Sequence, residues 1–411
     1  MRQILLSIVG NTPQVITETL WAIAQKGDPW PEQIHVITTT VGAKNVRKHV
    51  LEAGVIARLS EEVCRHCPAF SEADIWIVPD AQGKEVADAR TVDDHEALAN
   101  FIMTRVRDLT ADIDTAVHAS LAGGRKTMTF YLGYAMSLFG RRQDSLSHVL
   151  VSSEFENQPG FFYPTHQGRL LETRDNQQLD PTEAIVELAD IPFIRHRHNL
   201  PPVFAKHGGE PLNFRELVNL INLGNAPERI RLEIDVPRRV VRVRDPEGGL
   251  KVEIQPGLLE FAFYLKLARA TLENDISFTR PTGKKANSAL ALKLCNELLA
   301  LFGKPESDSP ETALTELESA NDEQSQTQLR LTTIESLKDN NGIVRAWFDQ
   351  RRNTLKEKFT RQLPDVLAQA VLPKIIWDAS GQRLSAGQKP PEGAYGIDLP
   401  IEQIRILNGE K

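Results

Sequence analysis

The chain has 411 residues, 41% hydrophobic and 25% charged, with a formal net charge of -7. That length exceeds one ordinary core and predicts two domains. The acidic balance argues against a protein coated in positive charge for long duplex DNA, although a local basic patch can coexist with it. No run reaches the roughly 18 apolar residues of a membrane span. Asn11-Thr12-Pro13-Gln14 interrupts the first apolar run too early for a signal peptide, so a cytoplasmic protein without a membrane partner is expected. Three cysteines, Cys64, Cys67 and Cys295, cannot build a disulfide framework and fit a reducing compartment. Cys64-Arg65-His66-Cys67 has the spacing of half a metal site, but no second CxxC follows, and no metal is expected.

In chain order, Ile4, Leu5, Leu6, Ile8 and Val9 predict a buried parallel strand that breaks at Gly10-Asn11-Thr12-Pro13. A helix over 15–24 follows, with Pro13 suited to its start. The unpaired amides of that first turn make an anion- or nucleotide-binding corner. A second strand over 33–40 ends at Thr38-Thr39-Thr40-Val41-Gly42 and leads into a helix over 43–57. A short strand over 75–78 and an amphipathic helix over 93–110 come next. The stretch from Val117 to Met128 again runs from strand to helix through a glycine pair, with the helix over 130–139. Gly123 and Gly124 permit close backbone approach, Arg125 and Lys126 supply charge for phosphate, and Thr127 can cap the helix or bond a phosphate oxygen. The bland alternative is a glycine turn with solvated cations. A last strand over 147–152 completes an α/β sheet with helices on both faces. If the sheet is parallel, the ends near Gly10, Thr39, Ser120 and Ser152 gather on one edge, where open α/β sheets place ligands. A phosphorylated ligand suits that edge. GxGxxG is absent and the phosphate-loop spacing is not met, so neither a dinucleotide cofactor nor ATP or GTP hydrolysis is expected.

Residues 166–227 read as a connecting segment, in which Arg195-His196-Arg197-His198 and His207-Gly208-Gly209 fit either a solvated linker or a ligand-contacting loop. Alternation from Ile230 to Ile254 predicts antiparallel strands. Apolar helices follow over 258–272 and 286–301, then a Pro/Ser/Glu/Gln-rich loop or solvent-facing helix over 303–330. A helix carrying Arg345, Arg351, Arg352, Lys356, Lys358 and Arg361 and a terminal hairpin close the chain. Strands, three helices and a hairpin are the pattern of a winged helix-turn-helix-like α+β domain over 228–411. Its basic helix makes duplex DNA a candidate partner, although six cations around an apolar stripe also describe a solvated helix.

Two segments together, Ser7-Ile8-Val9-Gly10-Asn11-Thr12-Pro13-Gln14 and Ala122-Gly123-Gly124-Arg125-Lys126-Thr127-Met128, resemble the CRISPR-associated Rossmann fold (CARF) family, closest to its ring nuclease branch. The resemblance covers residues 1–165 and implies a Rossmann-like parallel sheet sensor domain. It implies a homodimer whose adjoining pockets hold a cyclic oligoadenylate, probed best as cyclic tetra-adenylate, and which cuts it without metal or cofactor to linear products with a 2',3'-cyclic phosphate. Carried over by motif, Gly10, Asn11, Thr12 and Thr39 would shape the ligand's seat, while Gly123, Gly124, Arg125, Lys126 and Thr127 would clamp phosphate. Lys126 would be the electrostatic catalyst, with Thr12 positioning the reacting group. Neither loop supplies a general base; His118 and Glu154 are reserves. The Arg-x4-His spacing of ribonuclease relatives occurs only at Arg90 and His95, beside Asp93 and Asp94 that would oppose RNA. Two other readings stand: a ring-gated DNA-binding regulator, and an effector nuclease with an unrecognised C-terminal active site.

Overall fold

The computed structural model describes residues 1–165, 170–172, 177–201, 204, 212–248, 251–282, 285–323, 336–385, 388 and 392–409. His207-Gly208-Gly209 and residues 324–330 of the expected insert lie outside them. Two compact units emerge, Met1–Leu200 with Phe204–Arg215, and a second that takes in Glu216–Lys411.

The first unit is built on a six-stranded sheet of β1 (Arg2–Ile8), β2 (Gln33–Thr38), β3 (Ile75–Ile77), β4 (Thr115–Ser120), β5 (Ser145–Val151) and an edge strand, Val186–Asp190. In space the order is β3-β2-β1-β4-β5-edge. The first five strands run parallel and the sixth antiparallel to β5, pairing Val149 with Leu188. The sheet is therefore mixed rather than wholly parallel. Val186–Asp190 carries two acidic residues and Ala189 and is only half buried, which removes the apolar run by which the inner strands announce themselves.

β1 lies at the centre, and its neighbours explain its composition. Leu5 packs with Ile16, Leu20 and Ile23 of helix α1 (Val15–Lys26) and with residues of α2 (Thr40–Val46) and α3 (Val55–Glu62). Ile4, Leu6 and Ile8, alternating with Leu5, are equally buried and must point to the opposite face. There α4 (Val92–Ala111) and α5 (Lys126–Phe139) pack together, burying Ile102, Val106, Leu132 and Met136. α1 stops at Gly27, whose φ of 76° lets its amide reach Ile23 and Ala24 carbonyls. α4 starts with a capping box, in which Thr91 accepts from the Asp94 amide and Asp94 accepts from the Thr91 amide. The expected helix over 43–57 is divided, with a wider turn at Arg47–Leu51 and Gly54 at φ 62° between α2 and α3.

The second unit is mostly helical with small sheets. Strands Arg231–Asp235, Val240–Arg244 and Lys251–Ile254 form the expected antiparallel set. The terminal strand Ile404–Leu407 does not close a hairpin; it pairs parallel with Arg231–Asp235, while Lys374–Trp377 pairs antiparallel with Ala394–Gly396. Helix Leu258–Glu273 is apolar on nearly all sides and is the core of this unit, meeting helix Ser288–Leu301 and helix Arg345–Thr360. Within the stretch 303–330, Pro310–Glu323 is a helix that buries Ala313, Leu314, Leu317 and Ala320. Two small alanines and two leucines suffice for that face, which is why the composition reads as solvent-facing.

Candidate functional site

The strand order fixes where a ligand can sit. From β1 the chain moves outward through β2 and β3, then returns to the other side of β1 for β4 and β5. The loops leaving the carboxyl ends of β1 and β4 therefore diverge to opposite faces and leave a crevice between them. A cavity of about 640 Å³ opens there.

Its floor is made by the two glycine-bearing loops in direct contact. A Cβ on Gly10 would stand 3.1 Å from the Gly124 Cα. One on Gly123 would stand 2.6 Å from the Ile8 carbonyl oxygen, and Gly124 has φ +82°. Only glycine fits these last two positions without displacement of backbone. Gly42 is held as tightly, since its Cβ would lie 2.7 Å from the Gly10 carbonyl oxygen. Thr38 Oγ1 donates to the Val9 carbonyl at 2.7 Å, tying the end of β2 to the first loop. Thr39 caps α2 by accepting from the Gly42 amide. Asn45 Nδ2 donates to the Asn11 carbonyl at 3.0 Å, and Thr12 Oγ1 donates to Asn157 Oδ1 at 3.2 Å. The lip is thus braced by the side chains of Thr12, Thr38, Thr39 and Asn45.

Of the residues singled out by sequence, Gly10, Asn11, Thr12, Thr39, Gly123, Gly124 and Arg125 line the cavity. Lys126 and Thr127 open α5 immediately beyond it without lining it. Lys126 is exposed, and Thr127 Oγ1 is buried with no hydrogen-bond partner. α5 begins with no side-chain cap, so its first amides stay available. His118 and Glu154 do not line the cavity. His118 Nε2 is 2.7 Å from Ser147 Oγ, and burial lowers its pKa to about 4, so it is a neutral structural imidazole.

Other lining residues carry no local motif. The segment after β3 crosses the end of β2, where Thr40 donates its amide to the Val86 carbonyl and Val86 donates to Val78. This brings in Asp88 and Arg90. Asp88 pairs with Arg125 and lies 3.3 Å from the Arg90 Nε. An anion entering the cavity would compete with Asp88 for Arg125, whose side chain remains half exposed. His148 on β5 and Glu156 beyond it also face inward. So does Glu18 on α1, whose pKa rises to about 7 because burial disfavours its charge and Glu156 repels it. An acidic residue three positions after Val15 on an otherwise apolar helix face was the available signal for Glu18; nothing local marks Asp88, and Arg90 carries only its spacing to His95, which does not line the cavity.

Among the described residues, no group of three or more His, Cys, Asp or Glu side chains is arranged to hold a metal ion. Cys64 and Cys67 are exposed free thiols. The cavity lining combines glycine backbone, the Thr12 and Thr39 hydroxyls and the Arg90 and Arg125 guanidinium groups with apolar side chains, Val15, Met128, Val149 and Val151. That is a donor set for a ligand with both anionic and flat apolar parts.

No curated protein matches the chain. A protein-family model, CRISPR-associated protein NE0113, matches residues 12–221, just over half of the sequence and the whole of the cavity-forming framework from Thr12 onward. The chain belongs to the CRISPR-associated protein NE0113 family.

Proposed function

We propose that the first unit binds a cyclic oligoadenylate, of tetra-adenylate size, across a homodimer, and that it linearises the ring to switch off type III CRISPR signalling. The observation that carries this reading is the glycine-on-glycine contact between the loop at Gly10 and the loop at Gly124, which opens main-chain amides and Arg125 onto a cavity of about 640 Å³. In the proposed step a ribose 2'-oxygen attacks the adjacent phosphorus and the P–O5' bond breaks. The 2'-hydroxyl proton leaves to water, and the departing O5' takes one up. A 2',3'-cyclic phosphate and a 5'-hydroxyl result. Arg125 and Lys126 neutralise the charge that gathers on the phosphoryl oxygens, and Thr12 orients the reacting ribose. Such a step draws its acceleration from geometry and charge, and slowness is tolerable in a signal terminator.

The test is to incubate the purified protein with cyclic tetra-adenylate in the presence of a chelator and to resolve the products by chromatography and mass. Linear products ending in 2',3'-cyclic phosphate are expected. A ring that binds and stays intact leaves a sensor rather than an enzyme. Equal cleavage by Lys126→Ala removes Lys126 from its role.

The reading as a ring-gated DNA-binding regulator, with the second unit as a winged helix-turn-helix, draws on helix Arg345–Thr360. Its arginines are largely engaged within the unit, however. Arg351 pairs with Glu260 at 2.9 Å, and Arg352 lies over the Tyr395 ring. Arg345 shares Asp349 with Arg280. That leaves less free positive charge for phosphates than the sequence suggests, and an absent gel shift with and without ring would dismiss this alternative.

A further inference from the structure

Glu18 is the feature of the cavity that phosphate chemistry does not use. It is 6% exposed, lines the cavity, and has no hydrogen-bond or ion-pair partner for its carboxyl among the described residues. Ionised, a buried carboxylate without a cation would cost several kcal/mol, the penalty of an unpaired buried charge.

The surroundings narrow what that is. Val15, one helical turn earlier, lines the same cavity. Met128, Val149 and Val151 line it too, so part of the wall suits the flat faces of a nucleobase. The charged and titratable groups that face the cavity with Glu18 are Asp88 and Arg90 from the segment after β3, Arg125 at the start of α5, His148 on β5 and Glu156 beyond β5. Of these, Glu156 acts on Glu18 and opposes its ionisation. Burial and Glu156 work in the same direction, so near neutrality much of Glu18 carries its proton.

We propose that Glu18 reads adenine as a neutral carboxylic acid, donating its O–H to a ring nitrogen and accepting from the 6-amino group. Adenine presents an acceptor nitrogen beside an N–H donor, and a protonated carboxyl is the matching donor-acceptor pair. An ionised carboxylate has only acceptors and leaves the ring nitrogen unpaired. The carboxyl is therefore a specificity device for the base, separate from the groups that hold phosphate. This inference rests on the ligand class proposed above.

The test is the affinity of the full-length protein for cyclic tetra-adenylate, measured by calorimetry between pH 6.5 and 8.5. With a carboxyl that titrates near 7, wild-type affinity should fall roughly twentyfold over that range, because the binding-competent protonated fraction shrinks as pH rises. Glu18→Ala should bind about tenfold to a hundredfold more weakly at pH 6.5, as expected for loss of a bidentate base contact. Glu18→Gln, whose amide offers the same donor and acceptor at every pH, should recover most of that loss and flatten the profile. A ring made of N6,N6-dimethyladenosine, which has no 6-amino hydrogen, should lose affinity for the wild type and lose nothing further in Glu18→Ala.

Two results would overturn the proposal with the ligand class intact. A dimethylated ring that binds the wild type as well as the parent ring does would assign the acid to phosphate. A Glu18→Gln variant that keeps the wild-type pH profile would place the titrating group elsewhere. A wild-type protein that binds no ring at pH 6.5 or 8.5 overturns the ligand class itself, and the adenine contact with it.

Discussion

Two buried charges, one in each unit, are handled in opposite ways. In the second, Arg242 is 5% exposed and sits at 2.8 Å from each of Glu233, Asp235 and Glu253. These strand neighbours are cross-paired, Glu233 and Glu253 lying opposite Arg242 on either side. The carboxylates raise the Arg242 pKa, chiefly through the Glu253 hydrogen bond. Arg244 pairs with Glu233 at 3.4 Å and Lys251 with Glu253 at 2.7 Å, so three cations meet three carboxylates. In the first unit, Glu18 has no such partner, and Arg125 is paired to a single half-committed carboxylate, Asp88, at the edge of an open cavity. Charge that is fully matched inside the protein stabilises or specifies the fold; charge left unmatched beside a cavity is available to something that enters it. By that contrast the Arg242 cluster is a structural candidate, and Glu18 and Arg125 are candidates for meeting a ligand.

The largest effect should come from breaking the matched cluster. Arg242→Met takes the Arg242 cation from Asp235, buried at 9% exposure, and leaves Glu233, at 8%, with Arg244 at 3.4 Å. Removing one partner of a buried ion pair costs about 3–5 kcal/mol. Urea unfolding followed by the fluorescence of Trp347 and Trp377 in the same unit should show it, with ring binding at the first unit untouched in the remaining folded protein. A loss below about 1 kcal/mol would mean that the carboxylates are well solvated without Arg242 and that the cluster is not structural.

Glu18 should respond with the opposite sign. Its folded pKa of about 7 lies above its ordinary 4.5, so between those values the folded protein keeps a proton that the unfolded chain has released. Stability contributed by the neutral form is complete below 4.5 and is lost as pH rises through 7. The ionised form then costs about 3 kcal/mol, from 1.36 kcal/mol per pKa unit. Glu18→Gln should therefore stabilise the unliganded protein at pH 8 by up to about 3 kcal/mol, with a gain under about 1 kcal/mol at pH 5. Thermal denaturation at the two pH values decides it. A gain of equal size at both would trace to packing rather than to charge.

A smaller effect is expected from the floor of the cavity. Gly124→Ala places a Cβ 2.4 Å from Ile8 Cγ2 at a φ of +82°, which side chains rarely adopt. A cost of about 1–3 kcal/mol follows from overpacking and the backbone conformation. Because Gly124 rests on Gly10, the variant should also weaken ring binding more than its stability loss explains. A destabilised protein with wild-type affinity would detach the loop contact from the ligand.

How much of this was legible in the sequence follows from range. β1 and the two glycine loops were readable because apolar runs, a Thr-Pro helix start and a Gly-Gly-Arg-Lys turn act within a few residues. That the strand ends gather on one edge needed only a parallel arrangement, which β1 to β5 have; that β1 and β4 are neighbours, with Ser7 beside Ser120, is seen in the fold. The antiparallel edge strand was not readable, because half-buried edge strands need no apolar face. Nor was the terminal strand's return to Arg231–Asp235, since Ile404-Arg405-Ile406-Leu407 alternates as a hairpin strand would. Asp88 and Arg90 reach the cavity through backbone bonds at Thr40 and Val86, in a segment whose own composition says nothing. Arginines on helix Arg345–Thr360 look free in sequence, whereas Glu260 and Tyr395 engage Arg351 and Arg352 from far along the chain, and Arg345 shares Asp349 of its own helix with the distant Arg280.

The smallest stability effect should belong to Thr12, and it separates two meanings of the first loop. Thr12→Val keeps the side chain's shape and removes its hydrogen bond to Asn157 Oδ1, which is solvent-exposed, so stability should change by less than about 1 kcal/mol. If Thr12 orients a ribose, ring affinity or the cleavage rate should drop although the fold does not. The same outcome would follow if Thr12 only ties the loop to Asn157. Asn157→Gly distinguishes the two, because Asn157 has φ 58° and glycine keeps that backbone while deleting the acceptor. A loop-tying role predicts that Asn157→Gly reproduces Thr12→Val. A ligand-contacting hydroxyl predicts that Asn157→Gly loses less than Thr12→Val, because Thr12 Oγ1 is then free to turn towards the ring even though Asn157 also lines the cavity.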